Sequence, residues 1–183
     1  MTYTDYNGIK QYQRLLSECS YDSEHNEFMC KSELQVIDFD HVKRAYLNDR
    51  NFSEEKAKSV DVIASGTDSI TYLVEFKNGD VNNEKKSIPI KIRDSILMVC
   101  DICKCSISKT REDVVFVLVY NEERSNLPWE TKRMLGGTNL SGRPIPFLGL
   151  DKVEGFLVKK ALMVTEKRFE EKILPKLAGR SSM

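Results

Sequence analysis

Asp61 and the run Glu75-Phe76-Lys77 are the residues of this sequence whose types and spacing could do chemistry, in the pattern Asp-x13-Glu-x-Lys. Side chains two apart on a strand point to the same face, so Glu75 and Lys77 project together, and antiparallel pairing brings Asp61 beside them. Two carboxylates and one ammonium then converge. Hard carboxylate oxygens suit Mg²⁺ or Mn²⁺; such an ion polarises a phosphoryl oxygen and lowers the pKa of a bound water, which a nearby lysine can orient. Phosphodiester hydrolysis fits this equipment.

The flanking residues supply the elements. Lys58 to Ser65 (KSVDVIAS), the turn-forming GTDS, and ITYLVEFKNGD read as two strands of a β-hairpin. Before it, DFDHVKRAYLND predicts a helix, with Asp38 or Asp40 accepting from free N–H groups at its start and Phe39, Val42, Ala45 and Tyr46 at helical spacing. After a polar stretch, Val81 to Ser87, Pro89 suits a first helical position, and Ile92, Ile96, Val99, Cys103 and Ile107 form one apolar stripe. Val114 to Tyr120 (VVFVLVY) is an unbroken strand-forming run, expected as a central strand parallel to Ile70 to Phe76 through a right-handed crossover. Residues 121–150 are too rich in Gly and Pro for a long element. Then EGFLVKKALMVT reads as a strand, followed by a short helix from about Glu166 that carries Phe169, Ile173 and Leu177 on one face until Pro175. No element is predicted for residues 1–32. The fold class is α/β, a mixed sheet with flanking helices.

Asp61-Val62-Ile63-Ala64 followed by Tyr72-Leu73-Val74-Glu75-Phe76-Lys77 resembles the core of the PD-(D/E)XK nuclease superfamily, in particular archaeal Holliday-junction resolvases and small restriction-like endonucleases. The resemblance covers roughly residues 36–120, and implies a restriction-endonuclease-like fold of αβββαβ type within a single domain, with a strand-helix extension over about 150–178. Carried onto this chain, it implies that Asp61 and Glu75 are metal ligands, that the Phe76 carbonyl completes the protein's share, and that Lys77 places the attacking water. Ser59 could contact a phosphate. The proline usual before the aspartate is replaced by Val60. Members often add a glutamate from the preceding helix; Glu33, Glu54 and Glu55 are all candidates and none is fixed by its spacing. Lys91 and Arg93, near the start of the helix after the hairpin, suit a phosphate held at a helix N-terminus, although a solvated polar face is the commoner origin of such residues. The implied partner is nucleic acid, DNA or RNA, and a homodimer would let two such sites cut both strands.

Composition limits these readings. The 183 residues carry 28 Lys+Arg against 28 Asp+Glu, so any nucleic-acid contact must be a local patch. No run of about 18 apolar residues occurs, which excludes a membrane span on length. Five cysteines at irregular spacing, behind a polar N-terminus, suggest reduced thiols and a cytoplasmic protein. Cys100-x2-Cys103-x-Cys105 resembles half a zinc or iron–sulfur site, with Cys19, His25 and Cys30 as a second half, but it falls inside the expected helix, where small buried thiols explain it. His25 and His41 have no companion nucleophile at recognisable spacing and read as surface or capping residues. Leu135-Gly136-Gly137-Thr138 and Ser141-Gly142-Arg143 lack the Gly-Lys-Ser/Thr ending of a phosphate loop, and Trp129 reads as a residue pinning the long loop to the core. Glu-x-Lys by itself also arises from alternating charges on an exposed strand face. The alternative is therefore a non-catalytic nucleic-acid- or protein-binding module on the same fold, as in toxin/antitoxin or phage-defence systems.

Overall fold

A computed structural model describes residues 3–131 and 147–178. Its frame is a six-stranded mixed sheet built from β1 (Gln13–Leu15), β4 (Gln35–Asp38), β5 (Val62–Ser65), β6 (Thr71–Lys77), β7 (Val114–Tyr120) and β8 (Lys160–Thr165), in that spatial order. The strands from β1 to β6 pair antiparallel; β6, β7 and β8 run parallel. A separate small hairpin pairs β2 (Tyr21–Asp22) with β3 (Glu27–Phe28). Three short helical segments near the N-terminus and in the middle are α1 (Asn7–Lys10), α2 (Leu16–Cys19) and α3 (Phe39–Asn48), and α4 (Ser87–Cys103), α5 (Ile107–Asp113), α6 (Glu166–Lys172) and α7 (Leu174–Ala178) follow. No described helix is long and apolar enough to cross a membrane.

The unbroken VVFVLVY run is β7, buried at every residue because β6 and β8 flank it and both its faces are covered. Val114, Phe116, Leu118 and Tyr120 face a cluster containing Ile88, Ile92 and Ile96 of α4, while Val115, Val117 and Val119 face Phe169, Ile173 and Leu177 from the C-terminal helices. Alternation along one strand thus feeds two cores, each fully buried aliphatic or aromatic side chain contributing about 1.5–3 kcal/mol.

The expected hairpin is β5–β6, with Val62 opposite Val74 and Ser65 opposite Thr71. Gly66 N–H bonds to Ile70 O at 2.7 Å to close the turn. A Cβ on Gly66 would lie 2.6 Å from the Tyr72 ring, so this close approach needs glycine. The crossover through α4 is parallel, as expected, with Thr71 opposite Val114 and Lys77 opposite Tyr120.

Several expectations are corrected. Pro89 is the third residue of α4 rather than the first, a position still in the turn whose N–H groups lack helical partners. That helix ends at Cys103, where Lys104 adopts φ 52° and Cys105 N–H bonds to Cys100 O; Ile107 therefore opens α5 instead of extending the stripe. The last strand is Lys160–Thr165, shorter than EGFLVKKALMVT, because residues 153–158 close a turn through Val153 O and the Glu154–Val158 bridge. Residues 3–32 supply β1, α1, α2 and the β2–β3 hairpin. β4, the strand that pairs with β5, precedes α3, so that helix stands between the first and second of the antiparallel strands β4, β5 and β6. The glycine motifs of residues 135–143 lie outside the described residues.

Candidate active site

Pairing of Val62 with Val74 carries the register outward so that Asp61, just before β5, falls opposite Glu75. Ile63 and Leu73 share the α4-side core, and alternation puts Asp61, Glu75 and Lys77 on that same side. Asp61 Oδ2 accepts the Phe76 N–H at 2.7 Å, adding a side-chain rung beyond the last backbone pair. Lys77 Nζ lies 3.3 Å from Glu75 Oε1 and 3.5 Å from Glu84 Oε1. The three predicted chemical residues are thus brought together.

Lys91 joins them from α4. Its Nζ lies 2.6 Å from Glu75 Oε1 and 3.9 Å from Asp61 Oδ1, so it sits against both carboxylates instead of facing outward for a phosphate. Arg93, two residues on, is exposed. Ser59 is 2% exposed and donates its hydroxyl to Asp40 Oδ1, directed into the protein rather than toward an incoming phosphate. Asp40, in the first turn of α3, lies close enough to act on the charges of Asp61 and Lys91; it also pairs with Lys43 at 3.7 Å. Glu33, Glu54 and Glu55 are exposed and do not line the cleft.

Glu75 is fully buried, and its Oε2 has no hydrogen-bond partner among the described residues. Burial, and then the charge of Glu75, hold the Asp61 carboxyl well above its ordinary pKa, although its side chain keeps 20% exposure at the cleft. Burial also raises Glu75, with Lys91 and Lys77 holding back part of the rise. For Lys91, burial favours the neutral amine, but Glu75 and Asp61 outweigh it and the ammonium persists above its usual range. Cys19, at the cleft wall, has its thiol pushed up to about 12, by burial first and then by Asp38.

A cleft of about 580 Å³ opens at this end of the sheet, lined by Asp61, Phe76 and Lys77 and by parts of the β2–β3 hairpin, α3 and the loop after β6. Its carboxylates are Asp22, Glu24, Asp40, Asp61, Asp80 and Glu84, so the walls are acidic, not positive as a nucleic-acid groove would suggest. Arg124 pins the hairpin over it, with NH1 2.5 Å from both Glu27 Oε2 and Asn78 Oδ1. Asn78 in turn accepts from Asn121 at 2.8 Å, tying the ends of β6 and β7. None of these hairpin and loop contacts was expected from sequence, since each joins segments remote in the chain.

No protein-family model, curated protein or solved structure matches this chain. The site must therefore be judged on its own atoms. A divalent cation is the group that such carboxylates imply, and the donors fit one: two hard oxygen ligands, one with a buried oxygen lacking a partner, which is an unusual and costly state. Backbone alternation adds a third donor. Lys77 O accepts from Asn121 N–H on the β7 side, whereas Phe76 N–H points to Asp61 on the β5 side, so the Phe76 carbonyl lies on the Asp61 edge.

The remaining motifs resolve simply. All five cysteines carry free thiols, with Cys100 and Cys103 on α4 as expected. His41 Nδ1 lies 2.6 Å from Asp38 Oδ2 and its N–H bonds to Asp38 Oδ1, which makes Asp38 the cap. His25 lies 2.6 Å from Asp22, and with Glu24 these form a trio at the hairpin tip, Asp22 half-buried and the other two exposed. Trp129 is 65% exposed rather than buried; Leu127 is the residue of that segment that enters the core.

Proposed function

We propose that this protein is a metal-dependent nuclease-like enzyme that hydrolyses phosphodiester bonds of DNA or RNA, on a restriction-endonuclease-like core. The observation that carries the reading is the convergence of Asp61 and Glu75 at the cleft end of the β5–β6 hairpin, with Glu75 Oε2 buried and unsatisfied. Asp61, Glu75 and the Phe76 carbonyl would hold Mg²⁺ or Mn²⁺. When bound, the ion polarises a phosphoryl oxygen and acidifies a water.

The chain's own groups supply the rest. The Phe76 N–H fixes the Asp61 carboxylate through Oδ2, so that Oδ1, on the Lys91 side, is the oxygen that would meet a cation. Lys77 is 25% exposed, lines the cleft and touches Glu75, so its ammonium can orient a water and offset charge that develops on a phosphate. The acidic walls repel a polyanion until cations screen them, so substrate affinity should depend on the divalent ion as well as on salt. Those same walls favour the second reading, a non-catalytic module that receives a basic protein segment.

Cleavage of mixed DNA and RNA substrates by purified protein with Mg²⁺ or Mn²⁺, beside Lys77→Ala and Glu75→Ala, tests the proposal. Activity lost in both variants supports the nuclease. Activity that survives both points to another site, and an inactive wild type that binds no Mn²⁺ by calorimetry favours the binding module.

A further inference from the structure

Lys91 approaches a carboxylate oxygen that already has one ammonium beside it. Glu75 Oε1 already has the Lys77 ammonium at 3.3 Å, yet Lys91 approaches the same oxygen to 2.6 Å while Oε2 is left without a partner. Its Nζ is also within 3.9 Å of Asp61 Oδ1. One ammonium therefore lies against both carboxylates, carried on a side chain only 18% exposed.

We infer that Lys91 is a tethered counter-ion occupying the cation position between Asp61 and Glu75, and that it must swing away for a divalent ion to bind. The inference rests on the reading of Asp61 and Glu75 as metal ligands. Without a positive charge there, two neighbouring carboxylates in a buried setting would repel each other, with Asp40 close by; Lys91 holds the metal-free site together. A divalent cation bound to the same oxygens would face that ammonium at a few ångströms, an arrangement like charges oppose.

The chain gives Lys91 somewhere to go. It lies on the second turn of α4, whose anchoring is supplied by Ile88 and Ile92, both fully buried, so the flexible four-carbon stem can turn without moving the helix. The released ammonium is then available to a substrate phosphate, which links cation binding to substrate binding through one side chain and makes Lys91 a positioning residue in the metal-free state.

Calorimetric titration of Mn²⁺ into wild type, Lys91→Met and Asp61→Asn tests this without an activity readout. The expected result is affinity about tenfold or more tighter in Lys91→Met, and binding lost in Asp61→Asn. Equal or weaker binding by Lys91→Met, with wild-type binding still lost in Asp61→Asn, overturns the inference and leaves the metal reading standing. Absence of binding in both wild type and Lys91→Met overturns both.

Lys91→Met leaves buried Glu75 with one fewer counter-ion and can fail to fold, so a second measurement uses the wild-type protein. Reductive methylation with formaldehyde, resolved by peptide mass spectrometry and normalised to Lys104, which is 78% exposed, reads the accessibility of Lys91 directly. Lys91 should be protected without metal and react several-fold faster in saturating Mn²⁺. Unchanged reactivity while Mn²⁺ is bound overturns the inference.

Discussion

Asp61 Oδ2 accepts the Phe76 N–H at 2.7 Å, so a carboxylate takes the place of a backbone carbonyl one step beyond the end of the β5–β6 ladder. The bond fixes the carboxylate's direction, but the group sits in a setting that disfavours its charge, through burial first and Glu75 second. A carboxyl whose folded-state pKa is raised binds its proton more tightly when folded. Its ionisation therefore opposes folding, and stability falls as pH rises from the ordinary Asp value toward the raised one.

Asp61→Asn keeps an acceptor for Phe76 and removes that charge. In metal-free buffer it should stabilise the protein by about 1 kcal/mol at pH 7–8, with the gain shrinking toward zero near pH 4. Urea denaturation across that range checks it; a variant less stable than wild type at pH 8 would sink the argument.

Asp38 shows the opposite sign. Burial would raise its pKa, but the His41 N–H, Arg14 and the His41 ring together lower it. Its stabilising contribution is present above the ordinary carboxylate value and is lost as pH falls through the lowered one. Asp38→Ala should cost about 1–2 kcal/mol at neutral pH and progressively less below pH 4, measured by the same denaturation series.

Lys77→Ala should lower phosphodiester cleavage by about a hundredfold or more while leaving the fold intact, because its side chain is partly exposed and Glu75 retains Lys91. Single-turnover cleavage alongside a thermal melt separates the two effects. A comparable loss in melting temperature would instead mark Lys77 as structural.

Arg124→Ala should loosen the β2–β3 hairpin, whose Glu27 then keeps only the 3.2 Å bond from Asn78 Nδ2 at this point, without disturbing the main sheet. Amide hydrogen exchange should speed up in residues 20–30 and stay unchanged in β7. Equal protection in the variant would show that the hairpin is held by other contacts.

Legibility in the sequence followed the range of the interactions. The β5–β6 hairpin, α3, α4 and β7 are long or strongly patterned, and with them came Asp61, Glu75 and Lys77 as a group. The strands β1 and β4 are three and four residues long and gain meaning only from pairing across the sheet. Asp40 and Glu84 were hidden for a similar reason, since capping and loop positions explain them locally while their nearness to the site depends on packing. Lys91 was placed correctly on α4, but its direction depends on how the helix is rotated against the sheet. The acidic cleft walls come from separate segments, none of which is acidic enough to announce them.

The β5–β6 hairpin is closed by local turn residues, whereas Lys91 arrives on α4, whose place is fixed by the parallel docking of β7. In kinetic terms, Asp61 and Glu75 can meet within microseconds, ahead of the slower non-local pairing that delivers their counter-ion. The nascent hairpin thus carries a like-charge repulsion with Lys77 alone beside it, and Lys91 adds its charge only in the finished fold. Refolding in metal-free buffer should accelerate as pH is lowered toward the carboxylate range, and stopped-flow fluorescence would record the site's charge as a folding barrier.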